Sequence, residues 1–129
     1  MPTAQTTTNA YVAGGTNDIT FFTPTATTEA FSPASGWASL GNMPVGRLAP
    51  GMSSILGRLI VYGGGDPSFT VLNSTVLCTL PSCTSWTAFA RNLNTARWFL
   101  GYGTTSNNVY AAGGGDSAGN SLASAEKIH

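Results

Sequence analysis

Charged residues are scarce in this chain. Of its 129 residues 8% are charged, with five basic and five acidic side chains, so the formal net charge is zero. Soluble domains usually carry about a quarter charged residues. Without a basic excess, the chain has no electrostatic footprint for nucleic acid or for anionic lipid. We therefore expect no nucleic-acid partner.

Side chains that carry acid–base or metal chemistry are also few. The single histidine is His129 at the C-terminus, and the acids are Asp18, Glu29, Asp66, Asp116 and Glu126. A terminal histidine is poorly placed to join a Ser–His–Asp set, and no cluster has the ligand spacing of a metal site. The glycine-rich stretches before Asp66 and Asp116 lack the Lys-Ser/Thr of a phosphate loop. The sequence predicts a protein that is not an enzyme and has no metal or other cofactor.

Long apolar runs are missing as well. The longest, such as residues 59–62, are the size of a strand, whereas a membrane span needs about 20 apolar residues. We therefore expect no membrane span. Residues 1–10 have neither the basic nor the apolar region of a signal peptide. Low charge with abundant Ser and Thr favours an extracellular or virion surface over the cytosol.

Only two cysteines are present, Cys78 and Cys83, and Leu80-Pro-Ser82 between them has the residue types of a turn. A local hairpin disulfide fits this spacing, and two reduced cysteines fit it equally well. Two cysteines without further ligands do not make a zinc site.

Glycine, in contrast, is abundant and periodic. Three glycine clusters end at Gly15, Gly65 and Gly115, so 50 residues separate each from the next. Other residues keep a similar step: Arg47 and Arg97 are 50 apart, and Trp37 and Trp86 are 49 apart. The chain therefore repeats a unit of about 50 residues. The glycines assigned to the repeated motif are Gly14, Gly15, Gly64, Gly65, Gly114 and Gly115.

Each unit has the pattern of a β-structure. Short runs rich in Val, Ile, Tyr and Phe are separated by Gly, Pro, Asn and Ser, and no stretch has helical periodicity. In the second unit we predict four strands, near residues 50–55, 59–63, 74–80 and 84–88. The predicted fold class is all-β, and four short strands in about 50 residues match one propeller blade.

The repeated residues resemble the kelch motif. Phe31 precedes Trp37 by six residues and Leu80 precedes Trp86 by six, as an aromatic precedes the family's Trp. The matching strand and link segments are Glu29-Ala-Phe31, Glu126-Lys-Ile128, Leu40-Gly-Asn-Met-Pro-Val-Gly-Arg47 and the looser Leu93-Asn-Thr-Ala-Arg97. The resemblance implies four-stranded antiparallel blades of a kelch-type β-propeller that is incomplete within this chain.

The expected organisation is a Thr-rich segment at 1–10 and kelch-like blades at 11–129. These comprise a partial blade at 11–46, a full blade at 47–96 and a partial blade at 97–129. The first blade is expected to lack its innermost strand, because residues 1–9 carry no kelch pattern. The second has Cys78-Thr-Leu80 where the family has Glu-x-Tyr, so an Arg–Glu pair is expected to be lost there. The third is expected to stop after its third strand.

Loops after the double glycine and before the innermost strand carry partner binding in proteins of this family. Here these loops supply the candidate partner-binding residues Phe21, Phe22, Asp66, Phe69, Arg91 and Trp98. Trp98 lies outside the motif and is read as an exposed anchor, with core packing as the alternative. The motif residues Trp37, Trp86, Arg47 and Arg97 are expected to be structural. Asn73-Ser-Thr75 is an N-glycosylation sequon, with a plain turn asparagine as the alternative.

The resemblance implies a non-catalytic protein-interaction or assembly module on an extracellular or surface structure. Its expected partner is protein, either further copies of the chain or the remainder of a propeller. One alternative is a carbohydrate-binding propeller, in which Trp98, Phe69 or Phe22 stacks on a sugar ring of a glycan. The other is a fragment of a galactose-oxidase-like secreted enzyme, although the His and Tyr ligands of its copper cannot be placed here.

Overall fold

The protein is all-β. A computed structural model describes residues 2–6 and 8–128, and the described residues form eleven strands and no helix. The first sheet has the order β1 (Thr3–Gln5), β2 (Ala10–Ala13), β3 (Thr28–Ser32) and β4 (Gly36–Ser39). The second has the order β5 (Gly51–Ile55), β6 (Arg58–Tyr62), β7 (Thr75–Thr79) and β8 (Thr87–Ala88). In the third, β10 (Val109–Ala112) lies between β9 (Gly101–Thr104) and β11 (Ala125–Lys127).

All three sheets are antiparallel. The four strands predicted in the second unit are confirmed, with boundaries at most three residues away from those expected. The third sheet has three strands in the described part of the chain, as the sequence predicted. No helix that could cross a membrane is found among the described residues.

The first sheet does have a strand before β2, namely β1, which takes the position of the innermost strand. The expectation that this strand is missing is wrong. Thr3 pairs with Val12 and Gln5 with Ala10 in an antiparallel ladder. Such a ladder uses backbone groups, and threonine is among the residues enriched in strands. An edge strand that is largely exposed needs no apolar run, so the missing motif did not mean a missing strand.

The ladder register shows which residues of the three sheets are equivalent. The residues that face one another on the second and third strands are Val12 and Glu29, Val61 and Val76, and Ala111 and Glu126. Val76, and not Cys78, therefore occupies the glutamate position of the second sheet. Counting back from Trp86 with the spacing of the first sheet leads to Cys78. The hairpin between β7 and β8 is longer than that between β3 and β4, so this count stops short of the true position. The expected loss of an acid at this position is nevertheless correct.

The double glycines share an unusual backbone conformation. The pairs with positive φ are Gly14–Gly15, Gly63–Gly64 and Gly113–Gly114, so the first step between them is 49 residues and the second is 50. Gly65 and Gly115 directly follow these pairs and are not part of them. Counting back from the last glycine of each cluster assigns Gly65 and Gly115 to the double glycine, and this assignment is wrong. A Cβ on Gly14 would lie 2.5 Å from the Arg47 carbonyl oxygen, so close approach also requires glycine there.

Two clusters of buried hydrophobic side chains hold the three sheets together. One joins the first and second sheets and includes Tyr11, Met52, Leu59, Val61 and Trp86. The other joins the second and third sheets and includes Ile60, Tyr62, Leu93, Val109 and Ile128. Along β6, alternate side chains enter alternate clusters, as the period of two in a strand requires. The second sheet is therefore packed on both faces.

Candidate functional site: arginine cages and sheet faces

Arg47 is buried in the link between the first and second sheets, with 3% of its surface exposed. Its Nη1 donates to the carbonyl oxygens of Gly63 and Ser74, both at 2.9 Å. Its Nη2 donates to Ser74 Oγ, also at 2.9 Å. We call this set of two carbonyls and one hydroxyl an arginine cage.

A second arginine cage surrounds Arg97 in the link between the second and third sheets. Its Nη1 donates to the carbonyl oxygens of Gly113 and Ser124 at 3.0 Å, and its Nη2 donates to Ser124 Oγ at 3.1 Å. Nη2 also forms a salt bridge with Glu126 Oε2 at 3.0 Å. The same carboxylate accepts hydrogen bonds from the backbone N–H groups of Asn94 and Thr95.

The two cages differ in one residue. Glu126 supplies a carboxylate to Arg97, whereas Val76 occupies the corresponding position near Arg47. Burial lowers the pKa of Arg47 to about 10, so Arg47 remains charged at neutral pH. Its acceptors among the described residues are all neutral. The cages have the same backbone acceptors because both form between a double glycine and the third strand of a sheet.

The two motif tryptophans have different environments although they occupy equivalent positions, Trp37 on β4 and Trp86 directly before β8. Trp86 is 8% exposed, and its Nε1 donates to the Gly41 carbonyl oxygen at 2.8 Å. Gly41 lies in the link that follows the first sheet, and its N–H donates to the Cys83 carbonyl oxygen. Trp37 is 58% exposed, with its ring centroid 5.2 Å from that of Phe31. Trp86 thus joins two sheets, whereas Trp37 lies on an open face.

The candidate partner-binding residues do not converge on one site. Phe21, Phe22, Phe69 and Arg91 are exposed, and they lie in three separate loops. Asp66 instead organises its own loop, because its Oδ1 accepts hydrogen bonds from the N–H groups two and four residues ahead. Loop shape in the second unit therefore depends on Asp66.

Trp98 is half-buried and packs against glycine. A Cβ added to Gly65 would lie 2.8 Å from its ring, and one added to Gly115 would lie 3.2 Å from its Nε1. These contacts correspond to the packing alternative for Trp98. The exposed aromatic side chain here is its neighbour Phe99, which is 65% exposed and which the sequence reasoning missed. Its φ of 52°, unusual for a bulky residue, is not signalled by any motif.

Cys78 and Cys83 form a disulfide, and both are buried. The bond joins β7 to the hairpin that contacts the first sheet through Gly41, which settles the choice between oxidised and reduced cysteines. Asn73 is exposed, and its carbonyl oxygen accepts a hydrogen bond from the Leu93 N–H. Its glycosylation stays a prediction.

Acidic and metal-binding side chains are dispersed. Within residues 2–6 and 8–128 no three His, Cys, Asp or Glu side chains lie close enough together to hold a metal ion. His129 lies outside the described residues. No protein-family model matches this sequence, and no curated protein matches it.

Proposed function

We propose that this chain is a non-catalytic assembly module, built of kelch-type blades, in a β-propeller that is completed by other polypeptide. The observation that carries the proposal is the contrast between Trp86 and Trp37. Trp86 is covered by the link that follows the preceding sheet, whereas no sheet among residues 2–6 and 8–128 covers Trp37. An exposed Trp at this position is best explained as one half of an interface, because tryptophan is among the side chains most enriched in interface hot spots.

The opposite end of the chain supports the same proposal. The inner strand β5 lies between β1 and β9 and is mostly buried, whereas every residue of β9 is exposed. Tyr110 of the third sheet is also exposed, and it lies on the side of its sheet opposite to Ala111, which packs against the second sheet. One end of the chain therefore offers Trp37 and the other offers Tyr110, as a head-to-tail contact would require. A head-to-tail contact closes a ring when its rotation is suitable.

The disulfide and the low charge support an extracellular or surface location for this assembly. Disulfides form and persist in oxidising compartments and are rare in the cytosol. The buried Cys78–Cys83 bond lies at the hairpin that contacts the first sheet, so it supports a contact between sheets.

Light scattering coupled to size-exclusion chromatography, with native mass spectrometry, tests the proposal on the full chain. We expect a closed oligomer of defined stoichiometry, and we expect Trp37→Asp to dissociate it. Leu56→Asp is the matched control, because Leu56 is also 58% exposed but lies in the β5–β6 hairpin turn. A soluble wild-type monomer at all concentrations, or equal dissociation by both variants, would contradict assembly from copies of this chain.

Carbohydrate binding is a second candidate function, favoured by two exposed aromatic rings in corresponding loops. Phe22 and Phe69 each follow a loop aspartate, have a positive φ and are about half exposed. Flat exposed rings of this kind can stack on sugars. A glycan array tests this function: binding that Phe69→Ala and Phe22→Ala abolish would support it, and the absence of binding to any glycan would exclude it.

A further inference from the structure

The first sheet carries the acceptors of a third arginine cage. In the two occupied cages the glycine that supplies a carbonyl also donates its N–H to the serine carbonyl, at 3.1 Å for Gly63 and 3.0 Å for Gly113. In the first sheet the Gly14 N–H donates to the Thr27 carbonyl oxygen at 2.9 Å. Thr27 therefore has the position of Ser74 and Ser124, and like them it carries a side-chain hydroxyl.

The first sheet also carries the carboxylate of the more complete cage. Glu29 faces Val12 in the ladder, as Glu126 faces Ala111. Because side chains alternate along a strand, Glu29 lies on the same side of its sheet as Glu126. The four acceptors of the Arg97 cage thus have counterparts in the Gly14 carbonyl, the Thr27 carbonyl, the Thr27 hydroxyl and the Glu29 carboxylate.

Among residues 2–6 and 8–128, these acceptors receive no cation. Arg47 and Arg97 donate to their own cages, and Glu29 forms no salt bridge with any described residue. Thr27 and Glu29 are both exposed, so a ligand from outside can reach them. Glu126, which holds an arginine, has only 10% of its side chain exposed.

We propose that Gly14, Thr27 and Glu29 form a third arginine site, whose ligand is the guanidinium group of an arginine on another polypeptide. This identity of the partner rests on the proposed assembly function. A guanidinium matches the site because its planar fork donates to two carbonyls and to a hydroxyl and carboxylate at once, which the compact ammonium of lysine does not reproduce.

The occupied cages also indicate the end of the first sheet at which the partner arginine enters. Arg47 lies four residues before Gly51, which opens the inner strand β5. The inner strand of the first sheet is β1, where Thr3 has the ladder position of Met52. The partner arginine therefore enters the site at the end of the first sheet where β1 begins.

The site can be tested with a peptide that copies this chain's own link, residues 44–50, acetylated and amidated at its ends. Titrated into the full chain, it is expected to shift the amide resonances of Gly14, Gly15, Thr27 and Glu29 in NMR spectra in a saturable way. Replacing its arginine with lysine is expected to weaken binding about tenfold, because the fork of hydrogen bonds is lost.

Variants of the site separate recognition from nonspecific attraction. Glu29→Gln and Thr27→Val are each expected to weaken peptide binding several-fold, while the control Thr79→Val, at an exposed threonine of β7, leaves it unchanged. Amide spectra away from the site report whether each variant remains folded. Equal affinity for the arginine and lysine peptides, or no shifts at millimolar peptide, would overturn the proposal.

The outcome is independent of the light-scattering experiment. Peptide binding by a chain that stays monomeric would retain the arginine site and reject self-assembly. Assembly sensitive to Trp37→Asp without peptide binding would retain the assembly function and reject the arginine site.

Discussion

The second sheet is packed on both faces, whereas the first and third sheets are each packed on one. Side chains of β6 alternate between the two hydrophobic clusters, with Leu59 and Val61 in one and Ile60 and Tyr62 in the other. Equivalent residues consequently have different surroundings in different sheets. The role of a repeated residue is therefore set by which neighbouring sheet is present, and the repeat alone does not determine it.

The tryptophans provide the largest test of this difference. Trp86→Ala is expected to lower the free energy of unfolding by about 3–5 kcal/mol, because it leaves a cavity between two sheets. Trp37→Ala is expected to cost about 1 kcal/mol or less in the monomer, since its ring is mostly exposed. Urea unfolding followed by circular dichroism measures both. Equal losses would show that the two positions are energetically equivalent despite their surroundings.

The third sheet is distinguished from the second by its ionic pair. Glu126→Gln is expected to lower stability by about 2 kcal/mol, because the carboxylate accepts hydrogen bonds from Arg97 and from the Asn94 N–H. Glu29→Gln is the matched control at the equivalent position of the first sheet, where the carboxylate is exposed and forms no salt bridge with any described residue. Denaturant unfolding compares the two variants. An unchanged Glu126→Gln protein would mean that the neutral cage alone is sufficient for Arg97.

The second sheet is distinguished in turn by its disulfide. Removing it by Cys78→Ala with Cys83→Ala is expected to cost about 2 kcal/mol from the entropy of so short a closed loop. The Gly41 N–H of the preceding link donates to the Cys83 carbonyl oxygen in this hairpin. Removing the disulfide should therefore also reduce the protection of the Gly41 amide from hydrogen exchange. Stability that a reductant does not change in the wild-type protein would contradict the expectation. The cysteine-free variant controls for other effects of the reductant.

Much of the fold could be predicted from sequence because strand patterns are local. Alternating apolar residues between turn residues placed all four strands of the second sheet within three residues. The inner strand β1 was missed because exposed backbone pairing leaves no apolar signal in Thr3 or Gln5. The register error at Cys78 has the same origin, since a longer hairpin changes the spacing without changing the residue types.

The candidate site was less predictable because it depends on contacts between sheets. The sequence indicated that Arg47 and Arg97 are structural, but their acceptors are mostly backbone carbonyls, which every residue possesses. The burial of Trp98 against Gly65 and Gly115 likewise depends on how two loops approach each other. The third cage could be identified only after the ladders had aligned Glu29 with Glu126.

The smallest expected effect is a pH dependence of the packing between the second and third sheets. Tyr62 lies in that interface, its hydroxyl 2.9 Å from Ser53 Oγ, whereas the corresponding Ala112 of the third sheet is exposed. Burial raises the pKa of Tyr62 above its ordinary value of 10.0. Above about pH 10 the unfolded chain releases the phenol proton of Tyr62 while the folded protein keeps it. The contribution of Tyr62 to the free energy of unfolding is therefore fully present below about pH 10 and is lost as the pH rises further.

Arg47 acts oppositely in the same range. Burial lowers its pKa from the ordinary value of an arginine to about 10, so the unfolded chain binds more protons above pH 10 and stability rises there. The informative quantity is therefore the stability of the wild type minus that of Tyr62→Phe, in which the Arg47 contribution cancels. We expect this difference to fall by about 1 kcal/mol between about pH 9 and pH 11. Parallel stability curves would mean that Tyr62 ionises as readily in the folded protein as in the unfolded chain, and that the interface is open to water.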